Sequence, residues 1–308
     1  MIKYIIKRLV FGAMTFLIII TLTFGLMHSI PGGPFDGDTL TTMPKEVQKN
    51  LLEKFGLDKP LSEQYVIYMK NLAHGEMGVS VSYSPRTVES IIKRQVPVSA
   101  TLGVTSLIIT AVFGVLWGII AALKQGKWQD NLMKILTTLG ITIPGFVMCT
   151  LLIYVFAVKL RWLPAMGFES PKNLILPAIA LSFGSIAYLS RLTRSSLLDV
   201  VRQDYVRTAK AKGITHNKVI FKHALKNCML PVVTYLGPLV GTLLMGSFIV
   251  EKIFAIPGIG REMVAAISNR DYMMILGLTA FYSLVMIITY LVVDITYAFI
   301  DPRVKLEG

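Results

Sequence analysis

Six long stretches of this chain carry no charged side chain, apart from a single aspartate in the last of them. They are Leu9–Ile30, Val98–Leu123, Ile135–Val158, Asn173–Ser190, Asn227–Val250 and Tyr272–Ile300, the last holding Asp294. A helix crossing a hydrocarbon core about 30 Å thick needs about 20 mostly apolar residues. The stretches together hold 143 of 308 residues. Helices this long and this bare on every face do not arise in a soluble core. The pattern predicts six membrane-spanning helices, with Asn173–Ser190, at 18 residues, the weakest.

Lys3, Lys7 and Arg8 precede the first run, as in a secretory signal. The run is longer than the usual 7–15 residues of such a signal. It ends in Ile30-Pro31-Gly32-Gly33-Pro34, not in a small-residue cleavage site. A retained first span is expected.

The chain carries 31 Lys+Arg against 18 Asp+Glu, a net charge of +13, with 16% charged residues. In a soluble protein such an excess would suggest nucleic acid. Its distribution suggests topology instead. If both termini are cytoplasmic, the inner segments hold 17 basic and five acidic residues, and the outer ones 14 and 12. Short loops rich in Lys and Arg stay inside. A membrane protein with both ends in the cytoplasm is therefore expected, with no nucleic-acid partner. Cys149 and Cys228 fall at different membrane depths, so no disulfide joins them in this reading.

Two connections are too long to be simple turns. In the outer one, from Pro31 to Pro97, Val47, Leu51, Leu52 and Phe55 fall at helical spacing, as do Tyr65, Tyr68, Met69 and Leu72. Two amphipathic helices are expected there, lying on the membrane face or a partner, or simply capping the bundle. The inner one, Arg191–Lys226, has nine basic residues, yet Val200, Val201, Tyr205, Val206 and Ala209 keep an apolar stripe before Gly213. Val219, Ile220, Ala224 and Leu225 resume it. Glycine reaches the left-handed conformation that ends helices without steric cost. The expectation is helix, sharp turn, helix, with Leu230-Pro231 opening the next span.

At this loop the sequence resembles a known family. Tyr205-Val206-Arg207-Thr208-Ala209-Lys210-Ala211-Lys212-Gly213, then His223-Ala224-Leu225 and Leu230-Pro231, is similar to the EAA-type loop of ABC importer permeases. Pro31-Gly32-Gly33-Pro34-Phe35, Phe254–Gly260, Asn269-Arg270-Asp271-Tyr272, Asp294–Tyr297 and Asp301-Pro302-Arg303 agree in order and placement. Together with Leu72–Gly78 and Ala121–Gln125, they resemble the first membrane subunit of the oligopeptide/dipeptide importers over essentially the whole chain. Arg207-Thr208-Ala209 stands where the wider class has Glu-Ala-Ala.

The resemblance implies an all-α membrane protein with the type I ABC importer permease fold. Residues 1–94 would form a first span and outer cap. Residues 95–300 would form the transporter domain, with coupling loop 191–226, and residues 301–308 a cytoplasmic tail. It implies a homologous second permease, two cytoplasmic ATPases that bind ATP and magnesium, an extracytoplasmic peptide-binding protein and a peptide substrate. Residues 205–213 would couple to the ATPases. Dipeptides, nickel chelates and glutathione remain alternative substrates within the same class.

The residues point to no chemistry of the chain's own. There is no G-x-x-x-x-G-K-[ST] loop for ATP and no H-E-x-x-H. The histidines at 28, 74, 216 and 223 are scattered, so neither a cofactor nor a metal is expected in this chain. Asp294 is the one acidic group within a span, where charges are costly and often functional. It either pairs with a base as a structural group or serves an ion-driven carrier. Pro144-Gly145 and Gly237-Pro238 are candidate kinks.

Overall fold

The computed structural model describes residues 2–30, 32–33, 45–215 and 218–300. Pro31, Pro34 and Phe35, His216 and Asn217, and the tail from Asp301 lie outside them. Among the described residues the chain is helical, and only the isolated Val79–Thr87 bridge pairs two extended segments.

Among the described residues, five helices are long and apolar enough to cross a membrane: α1 (Ile2–Ser29), α4 (Val88–Leu123), α7 (Lys172–Val201), α9 (Leu225–Leu244) and α12 (Tyr272–Ile300). Two short amphipathic helices precede α4, α2 (Lys45–Phe55) and α3 (Leu61–Ala73). The sixth crossing is broken. α5 (Trp128–Thr142) ends at Ile143-Pro144, and α6 (Gly145–Leu152) leaves at 110° before continuing as a π-helix, Ile153–Lys159. Proline has no N–H for the helical ladder and disfavours helical geometry in the residue before it, so Ile143 turns extended.

The weakest apolar run becomes the most buried candidate span. α7 packs on α4, α5, α6 and α9. Small residues allow the close approach. A Cβ added at Gly118 would lie 2.5 Å from Thr193 Cβ and 2.7 Å from the Ser190 carbonyl. Between helices in lipid, packing of small residues replaces the hydrophobic drive. A helix surrounded by helices needs no continuous apolar surface.

The run Asn227–Val250 does not form one helix. α9 stops at Leu244, Gly246 adopts φ +77°, and two short helices follow, α10 (Phe248–Ile253) and α11 (Ile259–Ser268). Pro231 lies inside α9 rather than opening it, because the helix starts earlier, at Leu225. One core gathers Ile20 and Phe24 of α1, Tyr68 of α3, Val88 and Ile92 of α4, Ile259 of α11 and Leu276 of α12. The outer helix α3 is thus seated on the bundle, and its Tyr65 hydroxyl lies 2.7 Å from Thr21 Oγ1.

Candidate functional site

α7 runs past the lipid-spanning length to Val201, and the chain breaks at Arg202-Gln203. The Gln203 carbonyl accepts from Val206 and Arg207 N–H and starts α8 (Asp204–Ala211). Asp204 in the first turn suits the positive end of the helix dipole. The helix is amphipathic. Val206 and Ala209 turn inward and pack with Val219 and Ile214. Tyr205 (39% exposed), Arg207, Thr208, Ala211 and Lys212 face outward. The side chain of Lys210 lies outside the described part.

The turn after α8 closes around Gly213 at φ +77°. Lys212 N–H donates to the Thr208 carbonyl and Ile214 N–H to Ala209 at 3.3 Å, satisfying carbonyls left open at the helix end. Val219–Ala224 then winds as a π-helix and runs into α9 without a break. The second helix of the loop is therefore the root of the next span, not a separate element. Asn227 Nδ2 donates to the Tyr205 hydroxyl at 2.7 Å and ties α8 to that root. Tyr205, expected on the buried stripe, is half out because its hydroxyl needs this partner. The Arg207–Asp204 pair, 3.9 Å apart and largely exposed, adds little stability.

Asp294 meets Arg8 Nη2 at 3.1 Å, joining the second turn of α1 to the late part of α12. The early part of α1 and the late part of α12 therefore lie on one side of the bundle. Cys149 and Cys228 are free and buried.

Three of the four buried acids among the described residues hold elements together, a role the sequence does not assign them. Asp130, fully buried, accepts two bonds from Arg194 at 2.6 and 2.9 Å, another from Gly126 N–H, and pairs with Lys134, clamping α5 to α7. Asp271 accepts from Ser80 Oγ and Ser82 N–H and caps α12 through Met274 N–H. Glu251 of α10, also fully buried, accepts from Ser99 Oγ at 2.7 Å and Arg261 N–H at 2.9 Å, fixing the α10–α11 segment to α4. One signal was available for Asp130, a Lys four residues on in a first helical turn. Asp271 stood within a noted motif, and Glu251 had no local signal.

Two family descriptions match this sequence. "Binding-protein-dependent transport system inner membrane component" covers residues 114–306, and the corresponding N-terminal description covers residues 1–88. The dipeptide transport system permease protein of Bacillus subtilis is 46% identical over 307 residues, covering 100% of this chain and 99% of that protein. The oligopeptide transport system permease protein of Salmonella typhimurium is 40% identical over 308 residues, covering 99% and 100%. Among solved structures, the methionine ABC transporter MetNI in an inward-facing conformation matches with a TM-score of 0.54 at 14% identity, covering 69% of this chain and 97% of that one. An amino acid ABC transporter matches with a TM-score of 0.51 at 16% identity, covering 68% and 93%. At these identities the likeness is one of fold, the type I importer permease.

Proposed function

Because this chain belongs to the family of binding-protein-dependent transport system inner membrane components, we propose that it is the pore-forming permease of an ATP-driven importer of oligopeptides across the bacterial cytoplasmic membrane. The observation that carries the reading is full-length likeness to two permeases named for peptide transport. ATP and its magnesium belong to two partner ATPases, a homologous permease completes the pore, and an extracytoplasmic binding protein delivers the peptide. The +13 balance, concentrated in the segments facing one side, supports cytoplasmic termini. Residues 1–94 act as the first span with its outer cap, and 95–300 as the transporter domain.

Residues 205–213 are the coupling element. α8 presents a small outward face backed by Val206 and Ala209, and its basic Arg207, with Lys212 just past its end, suits acidic groups on an ATPase. A crosslink to the ATPase is sought from Ala211, since Ala209 faces inward.

The test is reconstitution of the four-part complex with its binding protein in proteoliposomes. Labelled oligopeptide should accumulate only with ATP. Uptake restricted to dipeptides, nickel chelate or glutathione would move the substrate to that branch. Asp294→Asn addresses the ion-driven alternative. Its structural pairing with Arg8 implies near-normal assembly and uptake reduced at most modestly. Uptake lost in an intact complex, together with dependence on a proton gradient, would overturn the structural role.

A further inference from the structure

The outward faces of the long helices differ in chemistry. α4 exposes Val104, Ile108, Val112, Leu116 and Ile120, and α12 exposes Leu284, Ile288 and Val292. These aliphatic stripes are what lipid tails demand. α7 differs, although it too lies in the bundle. From Gly184 onward its exposed positions are Gly184, Tyr188, Arg191, Ser195 and Asp199, spaced four, three, four and four residues apart on one face. None is aliphatic. α9 exposes Thr234 and Thr242, with Leu230 a turn before the first of them. α5 exposes a mixed face on which Thr138 and Thr142 stand among Ile135, Leu139 and Ile141.

Gly184 and Tyr188 of that α7 face line a cleft of 480 Å³. The break at Ile143-Pro144 opens it between α5, α6, α7 and α9, and it reaches Ser247 at the start of α10. Its lining includes Phe183, Ser185, Tyr188 and Tyr235 and contains no charged side chain. Tyr188 of α7 and Tyr235 of α9 pack ring against ring, centroids 4.6 Å apart at 34°. Tyr188 remains 47% exposed, so the pair closes a surface cleft rather than filling a core. In contrast, the 580 Å³ groove between α4, α9 and α12 is lined almost wholly by aliphatic residues such as Leu107, Ile108, Val240 and Ile288, as a lipid-facing groove is.

We infer that the cleft between the broken α5–α6 crossing and the α7–α9 pair is this subunit's wall of the translocation path, with Tyr188 and Tyr235 as its constriction. The inference rests on the importer reading above and names the residues that meet the peptide. A wall without fixed charge neither traps nor repels the varied side chains of a peptide. Tyrosine rings offer apolar contact, and their hydroxyls serve peptide N–H and C=O groups at low cost in side-chain entropy. The second permease would supply the facing wall.

The test uses the whole complex with Cys149 and Cys228 replaced by alanine, carrying single cysteines in place of Tyr188, Thr234, Val112 or Ile288. The probe is a charged, membrane-impermeant methanethiosulfonate. A thiol ionises in water and not in lipid, so Tyr188→Cys and Thr234→Cys should react at least about tenfold faster than Val112→Cys and Ile288→Cys. Modification at Tyr188→Cys should stop uptake, whereas Val112→Cys should transport as before. Slow labelling at both Tyr188→Cys and Thr234→Cys in a complex that still takes up peptide would show that this face meets lipid or is sealed by the second permease, and would overturn the path. A fully modified Tyr188→Cys complex with undiminished uptake would overturn the constriction. Fast labelling in a complex that imports no peptide would leave the path standing and remove the substrate class.

Discussion

Replacing Glu251 with leucine should remove most of the protein from the membrane. The carboxylate sits with no exposure at the meeting point of α4, α10 and α11. It accepts from the Ser99 hydroxyl and the Arg261 and Gly260 N–H groups, while Ser99 Oγ accepts from Ile259 N–H at 2.9 Å. Around it the backbone is too close for side chains, and a Cβ at Gly258 would lie 2.5 Å from Glu251 Cδ. Leucine leaves these buried donors unanswered at a cost of roughly 3–5 kcal/mol, a large share of a typical folding stability. Glu251→Gln keeps the volume but turns amide hydrogens toward N–H donors, and should fall between. Membrane abundance and melting in detergent measure both. A leucine variant that accumulates and melts like the parent would show that the node is not structural.

The same group gives the fold a pH dependence. Burial pushes the Glu251 carboxyl above its ordinary value, and the bonds from Ser99 and the backbone pull it partly back. A carboxyl raised in the folded state contributes stability that is fully present below the unfolded value and is lost as pH rises through the folded one. Melting temperature should therefore decline over that window, and less steeply in Glu251→Gln.

Gly213→Val should leave the complex assembled but break the link between ATP hydrolysis and uptake. At φ +77° an added Cβ meets nothing within 4 Å among the described residues beyond its chain neighbours, so the penalty is backbone strain and not collision. For a β-branched residue that strain is about 1–2 kcal/mol or more, worth roughly tenfold in the population of the native turn. Reconstituted complexes should show peptide imported per ATP falling by that order while hydrolysis continues. Gly213→Asn, which tolerates the left-handed region, should lose much less. Coupling equal to the parent in Gly213→Val would remove the turn from the mechanism.

Much of this was legible in the chain because lipid permits so few solutions. A bare run of 22 residues such as Leu9–Ile30 has no alternative to a helix. Gly213 was legible because few residues suit a left-handed turn. What escaped depends on neighbours distant in sequence. Glu251 follows directly on an apolar run, and only the fold brings Ser99 to it. Pro144 announced a kink, but its 110° size follows from the room that α7 and α10 leave for α6. Phe248–Val250 reads as the end of the Asn227–Val250 span, and the turn at Gly246, a left-handed residue, separates it from α9. The cleft was invisible for a different reason. Tyr188 and Tyr235 stand 47 positions apart on two helices, and nothing local distinguishes either from a core tyrosine.

The pairing of α1 with α12 carries a consequence for how the molecule is made. α1 packs chiefly on the final helix and α3, and Arg8 finds Asp294 only there. A ribosome releases these segments in chain order, and the partner helix begins at Tyr272. Until that helix is made, the first span can dock only on α3 and α4, and its arginine lacks Asp294. A chain stopped short of α12 therefore leaves the first span without its main helix partner, however complete the middle of the protein is.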